Sequence, residues 1–114
     1  MEPADWIERV KALVRELGDR DYQYRTWLGH DPCKVSSPAE MCCRLFDDLY
    51  FAETVILPEL HLREEQKFAA LDLLAAIDAC SVADDLIPPA EVLDHPAWVR
   101  VRIKAQRLSD LLQE

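Results

Sequence analysis

The sequence predicts an all-α protein, a single domain spanning 1–114 and built as a bundle of about four helices with a long connection after the first. Three observations carry this. Apolar residues recur at three- and four-residue steps in several stretches, prolines and both glycines punctuate the chain between them, and nothing outside Tyr22–Trp27 alternates as a strand would. With 114 residues, half of them apolar, the chain suits one core rather than two.

The first helix is read from Trp6, Ile7, Val10, Leu13, Val14 and Leu17, which share one face at helical period. Pro3 suits its first turn, where an N–H would have no intrahelical partner, and Gly18 stands where a left-handed cap would end it. From Asp19 to Ser36 no apolar stripe appears, and Gly29 and Pro32 interrupt the segment. A long connection is expected there, with a short turn or extended piece through Tyr22–Trp27.

Ser37-Pro38-Ala39-Glu40 is a capping box with proline at the first helical position, so a second helix starts there. Met41, Cys42, Leu45, Phe46 and Leu49 form its inner face. Tyr50 to Leu57 either extends this helix by two turns or breaks it, and Pro58 sets the limit. A third helix is expected from about Arg63 to Ala83, with Phe68, Leu71, Leu74, Ala75 and Ile77 as core stripe and Leu73 and Cys80 widening it. Pro88-Pro89 stops it, and Ala90–Leu93 suits a single turn. Asp94 is placed to N-cap a fourth helix whose inner face is Trp98, Val101, Ala105, Leu108, Leu111 and Leu112. Its outer face carries Arg100, Arg102, Lys104 and Arg107, and the simplest packing is an up-and-down bundle.

Charge is distributed unevenly along these elements. Residues 36–94 hold thirteen carboxylates against Arg44, Arg63 and Lys67, whereas the first 35 residues hold seven acids and six bases. The formal net charge of −9 therefore belongs to the middle of the chain. A field of that sign repels polyanions and draws basic partners in, which disfavours nucleic-acid binding despite the basic final helix.

The cysteines and histidines offer little chemistry. An acidic N-terminus leading into an amphipathic stretch argues against a signal peptide, and the apolar runs fall far short of the ~20 residues that span a bilayer. A cytoplasmic protein without membrane association is expected, with Cys33, Cys42, Cys43 and Cys80 as free thiols packed as small hydrophobes. His30 and Cys33 make an H-x2-C pair, but a structural zinc site needs a second close pair, so no metal or cofactor is expected. Neither His30, His61 nor His95 lies three residues after a glutamate, as a di-iron bundle requires. His30, Asp31 and Cys33 lack an orienting third group for nucleophilic catalysis, and no phosphate loop, nucleophile elbow or H-E-x-x-H occurs. The expectation is a protein that is not an enzyme.

One stretch is hard to explain as scaffold. Leu45-Phe46-Asp47-Asp48-Leu49-Tyr50-Phe51-Ala52-Glu53 mixes aromatic residues with carboxylates, and Phe46, Leu49, Tyr50 and Phe51 span well over half the circumference of a continuous helix. Either the chain breaks near Tyr50 and buries all four, or an aromatic faces solvent among acids, as a binding anchor does. The candidate partner-binding residues are Asp47, Asp48, Tyr50, Phe51 and Glu53. The corresponding expectation is an acidic interaction domain for a basic protein partner. Its physical character, without a shared motif, is that of an immunity or antitoxin-like inhibitor covering a basic groove. Two alternatives stand beside it: a homo-oligomeric structural protein in which the basic last helix docks on the acidic middle of another copy, and a small-molecule-binding bundle, which the scarcity of polar residues on the inner stripes disfavours.

Overall fold

The computed structural model of the protein describes residues 2–30, 36–80 and 87–113. Among them every regular element is helical and no strand occurs, so the all-α class holds. The described residues form seven α-helices: α1 (Pro3–Leu17), α2 (Arg20–Trp27), α3 (Pro38–Cys43), α4 (Phe51–Thr54), α5 (Glu64–Ala79), α6 (Pro89–Leu93) and α7 (Pro96–Leu112). A π-helical turn, Arg44–Asp48, continues α3, and a 3-10 turn, Pro58–Leu60, precedes α5. Three long helices, not four, carry the core, with α7 packed on both α5 and α1. Helices α5 and α7 run antiparallel, since Gln66 meets Leu111 and Asp72 meets Lys104 across their seam.

The segment expected to be a connection holds α2. Asp19 N-caps it by accepting from the Tyr22 N–H at 3.0 Å, and Gly29, at φ 76°, ends it in the left-handed conformation. The His30 N–H closes that end on the Arg25 carbonyl at 2.9 Å. Its inner face is Gln23, Thr26 and Trp27, so an apolar stripe is the wrong signal for it. Gln23 is fully buried and acts as a hub. Its Nε2 donates to the Glu16 and Leu17 carbonyls at 2.9 and 2.7 Å, capping α1. Its Oε1 accepts from Trp98 Nε1 at 3.1 Å and from the Arg102 guanidinium at 3.3 and 2.9 Å. Arg102 also donates to the Leu93 carbonyl, so one member of the expected outer basic face points inward.

Gly18 ends α1 differently from expectation. Its φ of −88° is right-handed; what the site requires is space, because a Cβ would lie 2.8 Å from Gln106 Cγ. Gln106 Nε2 donates to the Gly18 carbonyl at 2.7 Å, bringing α7 against the end of α1.

Helix α5 presents another face to the core than its large side chains suggest. Ala69, Ala70, Leu73, Ala76 and Ile77 are buried, while Phe68 and Leu71 are exposed. The alanines let α7 approach closely, and that packing outweighs the burial of two larger side chains. The segment 81–86, into which the third helix was expected to run, lies outside the described residues. The N-terminal turn of α5 is held by Gln66, whose Oε1 accepts from the Arg63 N–H at 2.8 Å. Helix α7 starts one residue later than expected, His95 Nδ1 accepting from the Ala97 N–H at 3.1 Å. Asp94 instead forms a bidentate pair with Arg20, both contacts 2.8 Å, joining α2 to the end of α6.

Candidate partner-binding groove

Ser37 opens α3 as its sequence specifies, its Oγ accepting from the Glu40 N–H at 3.0 Å with Pro38 at the first position. Met41 and Leu45 bury fully, and the helix then widens into the π turn. The Leu49 N–H bonds back five residues to the Arg44 carbonyl at 3.2 Å, which rotates the residues after the turn relative to an α-helical register. Arg44 pairs with Glu16 of α1 at 2.9 Å, fixing the turn against the scaffold.

Tyr50 then adopts φ 47°, ψ 50°, a left-handed conformation in which a side chain of this size is an outlier. The reversal separates the four aromatic and leucine positions. Leu49 and Phe51 are buried and Phe46 packs on the core, whereas Tyr50 is 63% exposed. The break near Tyr50 is therefore real, yet one aromatic still faces solvent. Phe51, 1% exposed, stacks on Trp6 with centroids 5.9 Å apart and is not available to a partner, which corrects its place among the candidate residues. Trp6 Nε1 donates to the Leu49 carbonyl at 2.7 Å, satisfying a group the break frees.

Beside Tyr50 lies a groove of about 430 Å³ lined by Pro3, Trp6, Leu49, Leu57 and Leu60, with Asp48 and Glu59 among its walls. Ile56 and Leu57, 63% and 44% exposed, extend the apolar surface. Asp47, Asp48 and Glu53 are all exposed. Among the described residues the ion pairs are Lys11–Glu8, Arg20–Asp94, Arg44–Glu16, Lys67–Glu64 and Lys104–Asp72, and none involves Asp47, Asp48, Glu53 or Glu59. The groove thus combines an apolar floor, a phenol at its edge and carboxylates that form no ion pair among the described residues. Periodicity indicated the Tyr50 region but missed the contributions of Pro3, Trp6, Leu57 and Glu59, which come together only through the fold.

The other features singled out from sequence do not assemble. Asp31, Pro32 and Cys33 lie outside the described residues. His30 is exposed and stacks on Tyr24 with centroids 4.9 Å apart, while His61 occupies a left-handed turn at φ 53°. Cys42, Cys43 and Cys80 are free thiols, and burial, with the nearby Cys80 and Cys43, pushes the Cys42 thiol up to about 12. No cluster of three or more potential metal ligands occurs among the described residues. No described helix is long and apolar enough to cross a membrane. A second depression, about 390 Å³ over Gly18, is lined by Arg15, Asp19, Arg20, Asp21 and Asp110; its mixed charges offer no apolar anchor.

Comparison with known proteins gives no match to a family model, a curated protein or a solved structure.

Proposed function

We propose that this protein is a non-enzymatic interaction domain that binds a basic protein partner through the groove beside Tyr50, in the manner of an immunity or antitoxin-like inhibitor. Tyr50 is the anchor, entering a pocket on the partner, and Asp47, Asp48 and Glu53 supply the rim charge that speeds encounter. The observation that carries this reading is the exposed Tyr50 in a left-handed conformation next to an apolar groove. The reversal itself serves to bury Leu49 and Phe51, but glycine or asparagine would adopt it with less strain, so a tyrosine held there at a cost of about 1–2 kcal/mol supports a binding role. The carboxylates around it, which form no ion pair among the described residues, give the sign of the partner.

The test is a comparative capture experiment. Tagged wild-type protein and an Asp47→Lys/Asp48→Lys/Tyr50→Ser variant are used as baits in extract of the native host, and retained proteins are quantified by mass spectrometry. A basic protein held near stoichiometrically by the wild type and lost by the variant is the expected result. Equal retention by both baits contradicts the assignment of the groove, and a retained partner of acidic character contradicts the charge argument.

A further inference from the structure

We propose that the outer face of α5 and α7 is a second interaction surface, on which another copy of this chain docks to form a two-fold dimer with α5 of each copy lying over α7 of the other. It shares no residue with the groove beside Tyr50 and does not depend on the function proposed for it.

The first observation is apolar exposure concentrated on these two helices. Phe68 and Leu71 on α5 are 63% and 46% exposed, and Ile103 on α7 is 57% exposed. Ala75 continues the α5 row one turn further along. Three large apolar side chains on adjacent helices make a patch rather than scattered exposure, and such patches mark interaction surfaces.

The second observation is charge, which selects the occupant. Helix α5 carries Glu64, Glu65, Asp72 and Asp78 against Lys67, and the outer face of α7 carries Arg100, Lys104 and Arg107 against Asp110, Arg102 being turned inward. Glu65 and Asp78 on the one helix, and Arg100 and Arg107 on the other, have no ion-pair partner among the described residues. One acidic helix beside one basic helix, with apolar residues on both, is self-complementary under a two-fold axis. Charge also sets the direction of that axis. An axis across the helices would set α5 on α5 and α7 on α7, pairing like charges. An axis parallel to them sets α5 on α7 and opposes unlike charges.

The levels along the helices agree with the parallel axis. Such an axis leaves every residue at its own height, and the contacts Gln66–Leu111 and Asp72–Lys104 fix which heights correspond. Asp72 of one copy is then level with Lys104 of the other. Asp78 and Arg100, and Glu65 and Arg107, fall within about one helical turn of each other, a distance that these side chains bridge. Ile103 lies near the level of Leu71 from the other copy.

Area sets the strength. Two helices of this length side by side present a face of roughly 25 by 20 Å, or about 500 Å² per copy, below the ~800 Å² of a tight interface. The dimer is therefore one that dissociates on dilution.

Sedimentation equilibrium of the full chain over a concentration series tests this. The wild type is expected to rise from one towards two chain masses as concentration increases. Phe68→Glu and, separately, Arg100→Glu/Arg107→Glu are expected to stay monomeric with unchanged circular dichroism, as these side chains lie on the outer face. Adding Glu65→Lys/Asp78→Lys to the second variant reverses both charge sets and restores the dimer. A wild type that remains monomeric throughout overturns the proposal, as does dimerisation indifferent to Phe68→Glu. Failure of the fourfold variant to recover overturns the placement of α5 over α7.

Discussion

Trp6 and Leu49 are joined by a hydrogen bond of 2.7 Å from the indole Nε1 to the Leu49 carbonyl, and the same indole stacks on Phe51. The residues on both sides of Tyr50 are thus pinned to α1. Tyr50 itself, 63% exposed, turns outward between these two held neighbours.

That arrangement predicts a trade between stability and binding at Tyr50. Asparagine tolerates the left-handed region better than tyrosine, so Tyr50→Asn is expected to stabilise the fold by up to about 1 kcal/mol while losing the anchor. Urea denaturation measures the first effect and partner retention the second. A destabilised variant would mean that the ring contributes to packing.

Gln23 is expected to be the most sensitive polar position. Gln23→Leu leaves the Trp98 N–H and the Leu17 carbonyl without a partner and takes one partner each from the Arg102 guanidinium and the Glu16 carbonyl, at a cost of about 3–5 kcal/mol. Because part of that cost falls on a buried cation that keeps only the Leu93 carbonyl, Gln23→Leu/Arg102→Met should be less destabilised than the sum of the single variants. Additive losses in denaturant titrations would show that the two side chains act independently.

Acid sensitivity is expected from the Arg20–Asp94 pair. Hydrogen bonding to Arg20 is the main reason the Asp94 carboxyl titrates below its usual range, and the Arg20 guanidinium is correspondingly raised. A carboxylate with its folded-state value lowered adds stability above its unfolded value, near pH 4, and loses it as pH falls through the folded value. Asp94→Asn should therefore lower stability slightly at neutral pH and converge with the wild type in acid. The pair is exposed, so the effect is small. Parallel wild-type and variant stability curves from pH 7 to strong acid would contradict the attribution.

Thiol reactivity should rank by environment. Cys43 is exposed, whereas Cys42 is partly buried with its thiol held protonated and Cys80 is buried. Native-state alkylation read by peptide mass spectrometry is expected to label Cys43 ahead of Cys42 and Cys80, and faster labelling of Cys42 would contradict the packing of α3.

The features legible in the sequence are those that periodicity and capping encode. The stripe from Trp6 to Leu17, the Ser37-Pro38 start and the inner face of α7 all appear as the residues dictate. Helix α2 is hidden because its inward residues include Gln23 and Thr26, and hydrophobic patterning is blind to a buried polar hub. On α5, the expected stripe of Phe68, Leu71, Leu74, Ala75 and Ile77, widened by Leu73 and Cys80, is met at Leu73, Ile77 and Cys80, while Phe68, Leu71 and Ala75 face outward and the fold buries Ala69, Ala70 and Ala76 to bring α7 close. The break at Tyr50 is one of two alternatives the sequence allows, because a π turn has no residue signature and Pro58 limits the helix only from beyond. Of the candidate site, Asp47, Asp48, Tyr50 and Glu53 are exposed or solvent-facing and Phe51 is not, a distinction set by the backbone reversal between neighbours.

In the proposed function, acidic residues around Tyr50 steer a basic partner into place. It is tested most directly by stopped-flow association of the captured partner with wild type and with Asp47→Lys/Asp48→Lys across a salt series. Since exposed charges are screened over about 10 Å at 0.1 M salt, the wild-type association rate should fall steeply with ionic strength, and the variant should associate more slowly with a much shallower dependence. Identical salt dependence in the two proteins would contradict steering by these carboxylates.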